Sequence, residues 1–197
     1  MNFPILTFDV AKLTPSWGYV FDARWLDPYE SVVSMLWKLI WMNRLAGHAV
    51  VGHIARRSVD PYAGIGITHE EINGRYLATA LGVRLKTVRQ SIANPISRHE
   101  PNSVLRYCVR CMARGYHSAV HQLDNVTRCP IHATLLESCC RNCGVASDYR
   151  IDARMLDAPF KCPNCRGAYS PSWSSFTRCR RLQVHERTAV TRTFIGC

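Results

Sequence analysis

Cys108-Val109-Arg110-Cys111, Cys129-Pro130-Ile131-His132, Cys140-Arg141-Asn142-Cys143 and Cys162-Pro163-Asn164-Cys165 are four ligand pairs, each with two residues between its donors. That spacing builds a turn that aims two side chains at one tetrahedral ion. Seventeen residues separate the first pair from the second and eighteen separate the third from the fourth. Both gaps lie in the window of roughly 15–20 residues expected of a two-knuckle zinc ribbon. Sequential pairing gives a mixed site of Cys108, Cys111, Cys129 and His132, and an all-thiolate site of Cys140, Cys143, Cys162 and Cys165. A cross-braced pairing, first with third and second with fourth, uses the same eight ligands. Free buried thiols or disulfides predict no run of four equal spacings. Gly144 and Gly167 suit knuckles that need a left-handed residue. Cys139 is out of register with Cys143 and reads as a bystander, while Cys179 and Cys197 have no partner at ligand spacing.

Each site has four protein donors, whereas a catalytic zinc keeps one position for water. No His-Glu-x-x-His occurs, so the two Zn2+ read as structural. About 70 residues with few long apolar stretches cannot build a core alone, and structural zinc supplies roughly 10–16 kcal/mol of apparent folding energy.

Ahead of the cysteines the chain reads as helical. Asp27 is a candidate N-cap, with Pro28 at the first helical position and Glu30 placed to reach back to the cap N–H. Tyr29, Val32, Val33, Leu36, Trp37 and Ile40 follow at helical spacing, and Met35, Leu39, Trp41 and Met42 widen the stripe. Gly47 is the expected end. A second helix is expected over about Ala49 to Arg57, and Thr68 with Glu71 forms another cap-and-reach pair ahead of Leu77, Ala80 and Leu81. Gly82 closes that helix, Val83 opens a turn, and Leu85, Val88 and Ile92 mark the next helix before Asn94-Pro95. Leu77 to Ile92 thus resembles a helix-turn-helix, with Arg84, Lys86, Thr87, Arg89 and Gln90 placed to meet phosphates or base edges. A plain packing device with a solvated outer face fits the same pattern. Residues 1–26 read as an arm, with Trp17 to Phe21 as a short strand or extended segment. His48, His53, His69, His99 and His185 stand at no ligand spacing and receive no role.

The 197 residues carry 25 Lys+Arg, 21 of them Arg, against 14 Asp+Glu, a formal charge of +11. The mixed site contributes −1 and the all-thiolate site −2 once zinc and thiolates are counted, which leaves +8. Such a surface attracts polyanions. Ten Cys in 197 residues is below the roughly 8–10% of a disulfide scaffold, and a reducing cytoplasm is the expected compartment. The N-terminus does not read as a secretory signal. The longest apolar run, Val32 to Met42, is interrupted by Ser34 and Lys38 and falls short of the roughly 20 residues that span a bilayer. No membrane partner is expected. After Ser170, Arg178, Arg180, Arg181, Arg187 and Arg192 face one acid, Glu186, and the segment reads as a flexible basic arm for which solubilising disorder and phosphate contact are both open. No activated nucleophile, paired acid and base, or phosphate-cradling glycine loop can be named, and no enzyme is expected.

The fold expected is therefore a mainly α helical unit with a helix-turn-helix, followed by a small zinc-stabilised double zinc-finger or ribbon module. The boundaries are 1–26 for the arm, 27–100 for the helical unit with the helix-turn-helix at about 68–94, 101–170 for the zinc module and 171–197 for the tail.

Leu105-Arg106-Tyr107-Cys108-x-x-Cys111, Gly115-Tyr116-His117-Ser118, His121-Gln122-Leu123, Thr127-Arg128-Cys129-Pro130-x-His132, Cys140-x-x-Cys143-Gly144 and Pro159-Phe160-x-Cys162-Pro163-x-Cys165 follow in that order. Together with the upstream Glu30-Ser31-x-x-Ser34-x-Leu36-x-x-Leu39-x-x-x-Asn43, they resemble the TniQ family over about residues 27 to 170. The resemblance implies a non-enzymatic adaptor of bacterial DNA transposition. Such an adaptor links a target-recognition complex, either a CRISPR effector with guide RNA or a DNA-binding partner, to an AAA+ ATPase regulator that recruits the transposase. His121 departs from the aromatic residue the family often carries there. The short stretch after the zinc region resembles the forms that work with RNA-guided effectors, for which independent sequence recognition is not expected. The alternative is a stand-alone helix-turn-helix zinc-finger DNA-binding regulator.

Chelation of the two ions is expected to unfold the C-terminal half. Circular dichroism and protease sensitivity with and without EDTA measure this; spectra unchanged at full metal removal contradict it.

Overall fold

A computed structural model describes residues 13–14, 19–92, 102–172 and 181–196. It is α-rich, with two short antiparallel ladders. Leu13–Thr14 (β1) pairs with Tyr19–Val20 (β2), and Ile65–Gly66 (β3) with Arg150–Ile151 (β4). The helices are Val32–Asn43 (α1), Gly47–Ile54 (α2), Gly74–Leu81 (α3), Leu85–Ser91 (α4), Val109–Met112 (α5), Ala153–Leu156 (α6) and Val184–Gly196 (α7).

Helix α1 is the central element: Val32 through Ile40 are all buried. Burying an aliphatic or aromatic side chain contributes about 1.5–3 kcal/mol, so this helix anchors the core that surrounds it. Trp41 lies outside that core, 47% exposed, with the Arg44 guanidinium 5.9 Å from its ring centroid. The helix does not begin at Asp27. Ser31 is its N-cap, accepting from the Ser34 N–H at 3.2 Å. Glu30 does reach back to the Asp27 N–H, but across a turn that Tyr29 closes at φ 53°. The reason is tertiary. Tyr29 offers its carbonyl to the Ala119 N–H, and an Asp27 carboxylate oxygen accepts from the Leu182 N–H at 2.8 Å.

Buried polar side chains lock α1 in place. Glu30 pairs with Lys38 at 2.5 Å, both almost fully enclosed, accepts the Ser34 hydroxyl at 2.6 Å, and Lys38 also donates to the Trp25 carbonyl. Burial pushes the Glu30 carboxyl up, and the Lys38 charge opposes it. Removing one partner of such a pair costs about 3–5 kcal/mol, because the other charge is left buried alone. At the far end Asn43 bonds both backbone groups of Val20, its Oδ1 accepting from the N–H and its Nδ2 donating to the carbonyl.

Gly47 begins α2 rather than ending α1, whose C-cap is Arg44 in the left-handed region. Gly47 is required by proximity. A Cβ there would stand 2.5 Å from the Ala153 carbonyl oxygen, and its N–H donates to Asp157 Oδ1 at 2.6 Å. Thr68 and Glu71 form their bond in a loop, and the cap of α3 is Asn73, which accepts from the Tyr76 N–H. Helix α3 ends at Gly82, φ 62°, and α4 packs against it after three connecting residues. Asn94-Pro95 lies outside the described residues.

The helical unit and the cysteine-rich region share one core, which runs from Phe21 to Tyr169. Trp37 Nε1 donates to the Met155 carbonyl at 2.8 Å, the Trp37 and Phe160 rings lie 4.8 Å apart, and β3 and β4 come from opposite sides of the expected boundary. The tail also differs from the flexible arm expected of it. Helix α7 places Val190 and Phe194, with Leu182, in a second core around Cys108, Tyr116 and Val120. Phe194 stacks on Tyr29 at 4.1 Å, and Arg187 pairs with Asp27 and Glu186 with Arg114. Apolar residues at 182, 190 and 194 give a thin stripe that the surrounding Arg and Thr obscure in the sequence.

Candidate metal centres

Three of the four ligand pairs are built alike. Cys129, Cys140 and Cys162 each accept, at their carbonyl, the N–H of the residue four further on: Ala133, Gly144 and Arg166. Each also donates its own N–H to the carbonyl five further on. Those three fourth residues all have positive φ, at 53°, 71° and 60°. One residue outside each turn an isolated bridge closes the hairpin, Arg128↔Leu135, Cys139↔Ala146 and Lys161↔Ala168. The left-handed residue of the last turn is thus Arg166 and not Gly167. Gly167 instead lies under Asn142, whose side chain would be 3.1 Å from an added Cβ. The first pair is different: Cys108 is the N-cap of α5 and Cys111 lies one turn into it.

The donors converge in the sequential arrangement. Cys108, Cys111, Cys129 and His132 bring their ligand atoms within 4.8 Å of one another, and so do Cys140, Cys143, Cys162 and Cys165. In the mixed cluster Cys111 and Cys129 Sγ are 3.6 Å apart, and His132 Nδ1 lies 3.4, 3.4 and 3.6 Å from Cys108, Cys111 and Cys129. In the other, Cys140 to Cys165 is 3.7 Å and Cys143 to Cys162 is 3.8 Å. A tetrahedron on metal–sulfur bonds of about 2.3 Å has sulfur–sulfur edges of about 3.8 Å, and one nitrogen at about 2.0–2.1 Å shortens its edges to about 3.6 Å. The residues present therefore fit two four-coordinate metal ions, and all eight cysteines in the described residues are free of disulfides.

Four soft donors this close cannot protonate independently. Hydrogen bonds from Cys111 and Cys129 drive the Cys108 thiol far below its ordinary value, while sharing those same bonds pushes Cys111 up and Cys129 to about 11. In the second cluster the Asn142 side chain, 3.3 Å from Cys165 Sγ, holds that thiol down to about 6. Asn142 N–H also reaches Cys140 Sγ, and the Asn164 amide reaches Cys143 Sγ. The mixed site is the more enclosed: its three cysteines are buried, whereas Cys143 and Cys165 are half-exposed. Cys139 is exposed and belongs to neither cluster.

The residues between the ligands join the module to α1. His117 Nδ1 accepts from the Ser31 hydroxyl at 2.7 Å while its Nε2 donates to the Arg106 carbonyl at 2.9 Å. Gln122 donates to the same carbonyl. The Tyr116 hydroxyl donates to the Pro28 carbonyl and the Ser118 hydroxyl to that of Tyr29. His121, fully buried at 5.4 Å from the His117 ring, has no hydrogen-bond partner on either nitrogen among the described residues.

Of the residues read as nucleic-acid or partner contacts, Arg84, Lys86 and Arg89 are exposed on and just before α4, and Gln90 is half-exposed. Arg181 is exposed, with its carbonyl accepting from Arg114. Arg178, Arg180, Cys179 and Cys197 lie outside the described residues. The structure adds three residues to which the sequence reading gave no role, Arg56, Arg75 and the unassigned His69, which line one groove with Arg89. They come from three separate segments, so no local motif marks them. Among the described residues no helix is long and apolar enough to cross a membrane. The chain matches no protein-family model and no curated protein sequence.

Burial lowers the His117 imidazole from 6.5 to about 4 and that of His121 to about 3. Both rings are neutral in the folded chain and take up a proton on unfolding in mild acid. Their contribution to stability is therefore complete above pH 6.5 and is lost as pH falls toward those lower values. An unpaired buried polar group costs about 1–3 kcal/mol. His121→Leu is expected to gain about 1 kcal/mol near neutral pH and to decline less steeply in acid, as read by urea unfolding of the metal-loaded protein. A loss of stability of similar size contradicts an unpaired ring.

Proposed function

We propose that this chain is a non-enzymatic adaptor of bacterial DNA transposition, a cytoplasmic scaffold that joins a target-recognition complex to an AAA+ ATPase regulator of the transposase. The target complex favoured is an RNA-guided CRISPR effector. The two ions are Zn2+ with a structural role. One observation carries the reading: eight side chains close both metal sites with four protein donors each, inside a fold whose helices and knuckles share a core. No coordination position is left for a water or substrate, so the metal can organise a surface but has no open site for chemistry.

The resemblance to TniQ proteins gains support from what its residues do. Ser31, Asn43, Tyr116, His117 and Ser118 form polar joints between α1, with the residues that lead into it, and neighbouring segments, while Glu30 with Ser34 braces the start of the helix and Gln122 bonds the Arg106 carbonyl that His117 also meets. A pattern maintained by such joints specifies one relative placement of the helical unit and the knuckles, which is what a bridge between two larger partners needs. The pair α3 and α4 is read as a helix-turn-helix whose exposed Arg84, Lys86 and Arg89 steady a nucleic-acid backbone or meet the partner complex. The same pair favours the second reading, a stand-alone DNA-binding regulator.

Affinity purification of the tagged chain from its native cell, with quantification of protein and RNA, separates the two. The adaptor is expected to bring down an AAA+ ATPase and a guide-RNA complex in near-stoichiometric amounts, and to bind random duplexes weakly and without sequence preference. Nanomolar preference for one duplex, with neither ATPase nor RNA recovered, contradicts it.

A further inference from the structure

We propose that the groove between the loop after α2 and the α3–α4 corner, walled by Arg56, Arg75 and Arg89 with His69, is a binding site for the phosphodiester backbone of a nucleic acid. This rests on the nucleic-acid part of the reading above and is independent of the adaptor part.

The groove has a volume of about 550 Å3. Its wall carries three guanidinium groups and an imidazole, with Ile72 and Leu85 as apolar lining and no carboxylate. Among the described residues none of the three arginines forms an ion pair with a carboxylate. Glu70 and Glu71 line the adjoining cavity, which Arg56 shares with Arg57, and Glu71 is engaged by the Gly66 N–H at 2.7 Å. Arg56 is held in orientation by its Nε, which donates to the Ile72 carbonyl at 3.1 Å, so its two terminal amino groups remain for a ligand. His69 reports the local field: its imidazole is held below the ordinary value by burial and then by the charges of Arg89 and Arg56. Two positive charges from different segments therefore act on one point, and among the described residues no carboxylate lines the groove or ion-pairs with either of them.

The ligand chemistry follows from the donors. Guanidinium forks match the paired oxygens of a phosphate and fix its orientation. A single small phosphate would leave much of the groove unfilled, whereas a chain of phosphates extends out of it along α4. There Lys86, three residues before Arg89 on the same helix, is exposed, and so is Arg84 at the helix start. Apart from the His69 imidazole the groove wall contains no aromatic ring, and no Phe, Tyr or Trp that would form a stacking platform for bases. The site is thus one of backbone positioning without sequence readout.

The test uses the full zinc-loaded chain and its triple variant Arg56→Gln, Arg75→Gln, Arg89→Gln. Fluorescence anisotropy is read against a random DNA duplex and a single-stranded RNA, with inorganic phosphate as competitor, over a range of salt. The triple variant, with native circular dichroism and zinc content, is expected to lose about ten-fold or more in affinity, and its salt slope should fall by about 2–3. Which of the two nucleic acids binds the more tightly identifies the backbone used. In the unmodified chain, the NMR titration of His69, assigned with His69→Gln, is expected to move toward higher pH on adding the bound nucleic acid. That readout serves even if the triple variant does not fold. An unchanged affinity and slope in the folded triple variant, a His69 titration unmoved at saturation, or no binding of either nucleic acid overturns the site. If Arg84→Gln with Lys86→Gln abolishes binding while the triple variant binds normally, the groove is excluded and nucleic-acid contact through α4 stands. The adaptor reading is decided separately, by recovery of the ATPase.

Discussion

Sulfur atoms 3.6 to 3.8 Å apart, with an imidazole nitrogen among one set at 3.4 to 3.6 Å, are too far apart for a disulfide bond of about 2.05 Å. They are also too crowded to ionise independently. One divalent cation per cluster resolves that conflict by replacing the protons the thiols cannot all keep. Around those two points residues 102–172 consist mostly of isolated bridges and helices of a single turn, so little regular structure in that stretch would persist without them. The repeated turn at Cys129, Cys140 and Cys162 shows the same constraint locally. A residue in the left-handed region is accepted even when it is Ala133 or Arg166, because closing the tetrahedron stabilises the turn by more than that conformation costs.

The knuckles in turn determine where the helices sit. Ser31 caps α1 and also bonds His117, so one hydroxyl serves the helix end and the module. On the other side, Trp37 and Gly47 meet Met155 of α6 and Asp157 at its end, between the third and fourth ligand pairs. Metal binding is therefore coupled to the placement of α1 and α2 through short, buried, direction-dependent contacts. The basic groove and the exposed side of α4 lie on the helical elements held in this way. For the scaffold role proposed above this would matter more than stability alone, because such a role requires a fixed distance and orientation between surfaces.

The sequence made the ligands readable because donor type and spacing are local properties, and a Cys-x-x-Cys turn needs nothing beyond itself and a metal. The stripe of α1 was readable for the same reason, and so was the stop at Gly82. Positions decided by distant partners were not. Asp27 has the chemistry of a helix cap, yet it bonds Leu182, and Ser31 takes the cap because His117 sits above it. Gly47 looks like a terminator but is a point of close approach to Ala153. Thr68 and Glu71 form their expected bond without starting a helix, since Asn73 lies nearer the apolar run. Helix α7 was hidden because its apolar residues are sparse and its partners, Tyr29 and Arg114, lie far away in the chain. The groove of Arg56, His69 and Arg75 has no sequence signature for that same reason.

The most direct measurement is X-ray absorption at the zinc edge, combined with elemental analysis, on protein purified without chelators. Two zinc ions per chain are expected, sharing seven sulfur and one nitrogen ligand, with sulfur at about 2.3 Å and nitrogen at about 2.0–2.1 Å. Fewer than one equivalent of metal, an oxygen ligand in place of a sulfur, or sulfur–sulfur distances of about 2.05 Å would contradict it.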